Sequence, residues 1–376
     1  AACVLVAAVS PSSANVTGTW TTTASGGSAT ANGLTVTIAS SAAAAATQTF
    51  NTTNSGYWTD PHLPTPTIAG VPSIQLTIPA GGSTVTVTFS KPVDNPVMHI
   101  DRLGGVSGGS NSSSWTLSGA TATSAVTLTR LSGNGQFVVS GSNFVRTTGV
   151  GTATGTECDG TANGTACGTI QFAGTNITQL TFNVVMAGNP GGGDALELVF
   201  TVPQTLVIVR KQTINVTAGP FSFTGTNGVT AHTLNTSTSN PASSSSFTVT
   251  NHSQPITISE TVPAGYRIDT TSCTNESGAT VTSTFTGTVT GTGTVNIAAN
   301  AYDGGGQTIT CTVVNRSRSD MSVDLSGLTP ATLNTPYTGT YTCSNAASPF
   351  LQADAATCAI SGLPAGLTSS CSPVPP

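Results

Sequence analysis

The sequence predicts an all-β protein made of tandem β-sandwich domains of the jelly-roll or immunoglobulin-like kind. Three observations carry that expectation. Thr, Ser, Val and Gly dominate the chain, while the straight-chain helix formers are scarce. Short segments alternate apolar and hydroxyl side chains with a period of two. Turn formers, including 42 Gly and 21 Pro, are frequent enough to cut the chain into short strands.

In order along the chain, the clearest alternating segments are Leu34-Thr-Val-Thr-Ile38, Ser73-Ile-Gln-Leu-Thr-Ile78, Thr84-Val-Thr-Val-Thr-Phe89 and Ala125-Val-Thr-Leu-Thr129. Gly135-Gln-Phe-Val-Val139, Leu180-Thr-Phe-Asn-Val-Val185 and Ala195-Leu-Glu-Leu-Val-Phe200 follow. Together they predict one N-terminal sandwich over residues 15–205. A second unit of immunoglobulin-like size is expected over 206–316. It opens with Leu206-Val-Ile-Val-Arg-Lys211 and closes with Gln307-Thr-Ile-Thr-Cys-Thr-Val-Val-Asn315. Residues 317–376 read as the start of a third unit, too short to complete a sandwich. A chain of 376 residues accommodates such a series.

Charge narrows the function classes. Only 6% of residues are charged, against about 25% in a typical globular protein. With 9 Lys+Arg and a net charge of −5, the chain cannot neutralise a phosphate backbone, which excludes nucleic-acid binding. Four His and 14 acidic residues argue against a cytosolic metabolic enzyme. Residues 1–14 are apolar and then small, the pattern of a secretory-signal remnant cleaved before Asn15. No apolar run is long enough to span a bilayer.

The 8 cysteines fit an exported protein. Cys158 and Cys167 flank a Gly/Thr/Asn loop, and a bridge there is worth about 2.5 kcal/mol in the chain-entropy model. Cys273 and Cys311 would close a longer span, worth about 4 kcal/mol on the same model. Cys343, Cys358 and Cys371 crowd the C-terminal segment; removing Cys3 with the signal leaves an odd number, so one of the three is expected to pair outside this sequence. No paired CxxC spacing suggests zinc, and no metal ligand set or cofactor is expected.

Other candidates are each weighed against a plainer reading. His99 and Asp101 share a strand face, as a triad needs, but no Gly-x-Ser-x-Gly elbow accompanies them, and a buried His99–Asp101 hydrogen bond, or Asp101–Arg102 serving the neighbouring loop, explains them better. Asp194 and Glu197 follow a glycine-rich loop and offer oxygens for calcium, although the EF-hand spacing is absent. Tyr57, Trp58 and Trp115 could face a sugar, yet core packing accounts equally well for Trp20, Trp58 and Trp115. Sequons at Asn51, Asn176 and Asn215 are expected by chance in a chain this rich in Thr, Ser and Asn.

The second unit carries a resemblance. Phe221-Ser-Phe-Thr-Gly225, followed by Ile258-Ser-Glu-Thr-Val-Pro-Ala-Gly-Tyr266, is similar to the prealbumin-like, collagen-adhesin B-type domain of bacterial adhesins and pilins. Ser361-Gly-Leu-Pro-Ala-Gly366 resembles the start of the repeats that form stalks in long bacterial surface proteins, and the first domain resembles the sandwiches that precede them. In the adhesin family, a first-strand Lys joins a last-strand Asn through an amide bond, assisted by a Glu. The resemblance implies Lys211, Asn315 and Glu260 for those roles, and Lys211 is one of two lysines in the chain, with Lys91. The plainer alternative leaves Lys211 in solvent beside Arg210 and Asn315 as a turn residue.

The expected function is therefore non-catalytic: a secreted or cell-surface adhesion protein that presents its N-terminal sandwich on a stalk. Its partners would be extracellular-matrix proteins or surface glycans. The alternative is a lectin-like or glycan-active extracellular protein, which paired carboxylates in a cleft or a shallow aromatic groove would favour.

Overall fold

The computed structural model describes residues 14–16, 18–50, 55–58, 68, 70–104, 111–146, 158, 165–188, 192–214, 216–317, 322–324 and 342–344. Its first strands are β1 (Ala14–Val16), β2 (Thr21–Thr23), β3 (Gly26–Ala31), β4 (Leu34–Ser40), β5 (Ala44–Thr49), β6 (Pro72–Ile78) and β7 (Ser83–Val93). Next come β8 (Val97–Leu103), β9 (Asn111–Thr121), β10 (Thr127–Gly133), β11 (Phe137–Ser140), β12 (Asn143–Arg146), β13 (Ala166–Ala173), β14 (Ile177–Gly188) and β15 (Asp194–Val202). The protein is nearly all β, as the composition predicts. The described residues divide into two compact units: one drawn from 1–207, 247–256 and 298–309, the other from 208–246, 257–297 and 310–376.

The first unit is a two-sheet sandwich. One sheet has the order β10-β13-β8-β15-β6-β5, with β1 also paired to β15. The other has the order β11-β12-β9-β14-β7-β4-β3-β2. Alternation decides which side chains meet between them. Val85, Val87 and Phe89 of β7, with Leu180, Phe182 and Val184 of β14, point inward against Ile74, Leu76, Met98, Ile100, Leu198 and Phe200. Thr84, Thr88 and Asn183 take the outward positions and stay exposed.

Aromatic rings knit this core. Phe182 lies 5.7 Å from Trp115, 6.0 Å from Phe144 and 5.7 Å from Phe172, the last on the facing sheet. Such edge-on contacts add to the area that each ring buries. Trp20, Trp58 and Trp115 are all buried, so core packing, not a sugar platform, is what the tryptophans do. Trp58 belongs to a smaller cluster with Phe50, Ile68, Cys158, Cys167 and Val199, and its indole N–H donates to the Ile100 carbonyl at 2.9 Å.

Strands β16 (Leu206–Ile214), β17 (Phe221–Gly225), β18 (His232–Leu234), β19 (Ala242–Ser243) and β20 (Phe247–Thr248) begin the remaining architecture. They are followed by β21 (Ile256–Thr261), β22 (Tyr266–Thr274), β23 (Thr284–Gly287), β24 (Thr292–Ile297) and β25 (Thr308–Ser317). One sheet has the order β19-β16-β25-β22, with β20 also on β16, and the other the order β18-β17-β21-β24-β23. A short pair, β26 (Ser322–Asp324) and β27 (Thr342–Ser344), is antiparallel. Of Cys343, only the backbone is described, and Cys3, Cys358, Cys371, Asn51 and Asn215 lie outside the described residues.

Because Phe182 touches rings on both sheets, its loss leaves a cavity that neither sheet can close alone. Phe182→Ala is expected to lower the unfolding free energy by about 3–5 kcal/mol. The measurement is the urea midpoint with unchanged slope; a loss below about 1 kcal/mol would mean that the ring is not packed as described.

Candidate functional site

Strand alternation places three polar side chains where apolar ones belong. On β16, Val207, Val209 and Lys211 face inward while Arg210 is exposed. On β21 the inward set is Ile256, Ile258 and Glu260, and on β25 it is Ile309, Cys311, Val313 and Asn315. β16 and β25 are neighbours in one sheet and β21 belongs to the other. The solvent-facing alternative for Lys211 is therefore excluded: Lys211, Glu260 and Asn315 are 0%, 1% and 0% exposed.

Glu260 joins the other two. Lys211 Nζ donates to Glu260 Oε2 at 2.7 Å, and Asn315 Nδ2 donates to Glu260 Oε1 at 2.6 Å. The Phe221 ring centroid lies 4.5 Å from Lys211 Nζ, and that of Phe223 lies 5.9 Å away. These two rings come from the quoted Phe221-Ser-Phe223 string, whose alternation marks both as inward but does not reveal their place over the amine. Asn315 Oδ1 has no hydrogen-bond partner among the described residues.

The electrostatics follow from dryness. Burial pushes the Lys211 ammonium down from 10.5 to about 8, and the attraction of Glu260 only partly opposes this. Burial likewise pushes the Glu260 carboxyl up, against the pull of Lys211 and Asn315. Both shifts favour the uncharged partners, an amine beside a carboxylic acid. A neutral amine is a nucleophile, and a carboxylic acid can hand a proton to a neighbouring carboxamide.

The turn that carries the chain from β21 to β22 is fixed by its own residues. Tyr266 N donates to Pro263 O at 3.2 Å, and Gly265 has φ +84°, the left-handed conformation that a turn demands at that position. Beyond it, Cys273 of β22 stands directly opposite Cys311 of β25, and the two are disulfide-bonded with Cα atoms 4.1 Å apart. Cys158 and Cys167 are also disulfide-bonded, with Cα atoms 5.8 Å apart.

The other candidates do not converge on a reacting centre. His99 Nδ1 and Nε2 lie 2.9 Å from the hydroxyls of Thr169 and Thr201. Asp101 accepts from the Arg102 amide at 2.9 Å, a bond within β8. Asp101 and Glu197 are directly opposed across β8 and β15, but both are buried, and Arg102 forms a 3.0 Å ion pair with Glu197. Asp194 shares its face with Leu196, whereas Glu197 shares its face with Val199 in the smaller cluster. Residues on opposite faces of a strand cannot grip one calcium ion. The Asn176 amide donates to Thr123 Oγ1 at 3.2 Å.

Asp194 has a structural role that the sequence did not disclose. Its carboxylate accepts from Gly104 N, Ser113 N and Ser113 Oγ, at 2.5–3.3 Å, and Trp115 Nε1 donates to the same hydroxyl at 2.9 Å. One buried carboxylate thus fixes both ends of the segment between β8 and β9.

Residues 207–317 match the family model of the prealbumin-like fold domain. No curated protein and no solved structure matches the chain.

Burial raises the Asp194 carboxyl from 3.8 to about 6, despite the hydrogen bonds that oppose the shift. Between those two values the folded chain binds a proton that the unfolded chain has released. Stability therefore falls as pH rises from about 3.8 to about 6 through this group. Asp194→Asn is expected to remove that component of the slope, read from urea midpoints of both chains across the interval. Parallel profiles would contradict the assignment.

Proposed function

We propose that this chain is a section of a secreted surface protein whose second domain, residues 206–316, is a self-cross-linking structural module. Residues 15–205 form the presented domain and 317–376 open the next stalk segment. The observation that carries this reading is the buried trio, in which Glu260 holds Lys211 and Asn315 at 2.7 Å and 2.6 Å from its two oxygens. The family match over 207–317 and the disulfides support the same reading, because disulfides persist in oxidising surroundings. Among the described residues, no helix is long and apolar enough to cross a membrane.

The chemistry balances without a cofactor. Glu260 takes the proton of Lys211, leaving a neutral amine. Turning the Asn315 carboxamide over brings its carbonyl oxygen to the protonated Glu260, which polarises it. Lys211 Nζ attacks Asn315 Cγ, the Nζ–Cγ bond forms, and Glu260 relays the proton of Nζ to Nδ2. The Cγ–Nδ2 bond then breaks and ammonia leaves. No electron changes hands, and the product is an amide between the first and last strands of the module.

Such a bond serves a stalk. It closes the chain from Lys211 to Asn315 into a ring, so tension applied at the ends of the module passes through one covalent bond and not through strand hydrogen bonds. Closing a loop of this size is worth about 5 kcal/mol in the chain-entropy model. With Trp20, Trp58 and Trp115 buried, none of the three tryptophans offers a sugar-stacking face, and the adhesion reading is preferred to the lectin one.

The test is the intact mass of the reduced, denatured chain. The expected mass is that of the sequence less one ammonia, with Lys211 and Asn315 peptides recovered as a single branched species. Glu260→Gln is expected to restore the plain mass and to lower the unfolding free energy by about 5 kcal/mol. A wild-type chain of unmodified mass overturns the proposal.

A further inference from the structure

The disulfide and the trio meet on the same strand. Ile309, Cys311, Val313 and Asn315 share the inward face of β25, so Cys311 and Asn315 lie four residues apart on one line. Cys273 is opposite Cys311, and further along the same strand pair Ile268 is opposite Asn315. Between these two pairings the register is interrupted by an irregularity at Ile268/Thr270.

The sequence specifies this register weakly. Thr308, Thr310 and Thr312 alternate with Ile309, Cys311 and Val313 on β25, and β22 contributes Thr270-Thr-Ser-Cys-Thr274. A slip of one residue would turn Asn315 outward and expose the apolar set, so burial forbids it. A slip of two residues keeps Ile309, Cys311 and Val313 of β25 inward and Thr308, Thr310 and Thr312 on the other face. In that register Asn315 no longer faces Glu260. Besides that contact, a slipped pair loses the disulfide, because a two-residue displacement carries Cys273 and Cys311 out of bridging range.

We infer that the Cys273–Cys311 disulfide is the redox gate for the Lys211–Asn315 bond, holding β25 in the register that delivers Asn315 to Glu260. This rests on the cross-linking function proposed above and adds its regulation. Two thiols give up two electrons and two protons to a disulfide oxidant, such as a thiol–disulfide oxidoreductase or oxidised glutathione. Only then does the redox-neutral attack of Lys211 release ammonia. In a reducing compartment the module keeps its amine and carboxamide apart and remains an open chain. In an oxidising one it locks first by sulfur and then, irreversibly, by amide.

The experiment follows ammonia loss by intact mass in the full-length chain, refolded either with excess dithiothreitol or with oxidised glutathione. Ammonia loss is expected to be at least tenfold slower in the reduced chain and to recover on adding the oxidant. Cys273→Val/Cys311→Val should be slow in both buffers, whereas Cys158→Ser/Cys167→Ser should match the oxidised wild type. Because the valine pair could lose the fold altogether, Glu260→Gln provides a second readout, since it does not cross-link. On reduction, hydrogen exchange of its amides over 309–315 should accelerate at least tenfold. Equal rates of ammonia loss in reduced and oxidised wild type, or unchanged exchange in the reduced variant, overturn the gate and leave the cross-link standing. Retention of ammonia by a chain with a demonstrated Cys273–Cys311 bridge removes both readings.

Discussion

Glu260 is a carboxyl group from which water has been taken away, and each of its oxygens is committed to one partner: the Lys211 amine on one side, the Asn315 carboxamide on the other. Removing either partner leaves a polar atom buried without compensation, which costs far more than the hydrogen bond itself is worth. The trio is thus a constraint on the whole module. β16, β21 and β25 must all arrive in register, because each supplies one member and no member tolerates the interior alone. The rings of Phe221 and Phe223 complete the dry wall around the amine.

The same logic recurs in the first unit. Charged residues make up only 6% of the chain, and several of those among the described residues are buried. Asp194 collects donors from Gly104 and Ser113, and Glu197 is held by Arg102 and Ser73. Arg102 adopts φ +62°, an unfavourable backbone for a residue with a side chain, and its guanidinium reaches the Glu197 carboxylate. A chain of this composition stays folded by apolar burial and uses charge to fix particular joints.

How much of this was legible follows from which signals are local. Alternation in Thr84–Phe89 and Leu180–Val185 marks strands because only one face of each is buried. β8 shows no such alternation, because six of its seven residues, from Val97 to Leu103, are buried; only the spacing of His99 and Asp101 marked it as a strand. β9 was hidden by its serines, which serve on both faces around Trp115. For the site, the parity of Val207, Val209 and Lys211, of Ile258 and Glu260, and of Val313 and Asn315 was present in the sequence. What parity cannot supply is the pairing of strands far apart along the chain, which turns three inward polar residues into one contact. The donors of Asp194, 81 and 90 residues upstream, were invisible for the same reason.

Hydroxyl-rich strands carry a liability that charged ones do not. Opposite charges across a ladder reward one register and penalise its neighbours, whereas rows of Thr and Val accept displacements of two residues at little expense. A protein that replaces Lys and Glu with Thr gains a neutral, repetitive surface and loses that means of specifying alignment. Covalent chemistry restores it. The Cys273–Cys311 bridge joins opposed positions on β22 and β25, so it records the register in a bond that only the correct alignment can form. Read this way, the unusual composition and the placement of the cross-link are one design: weak local instructions, corrected by a few bonds that tolerate no slip.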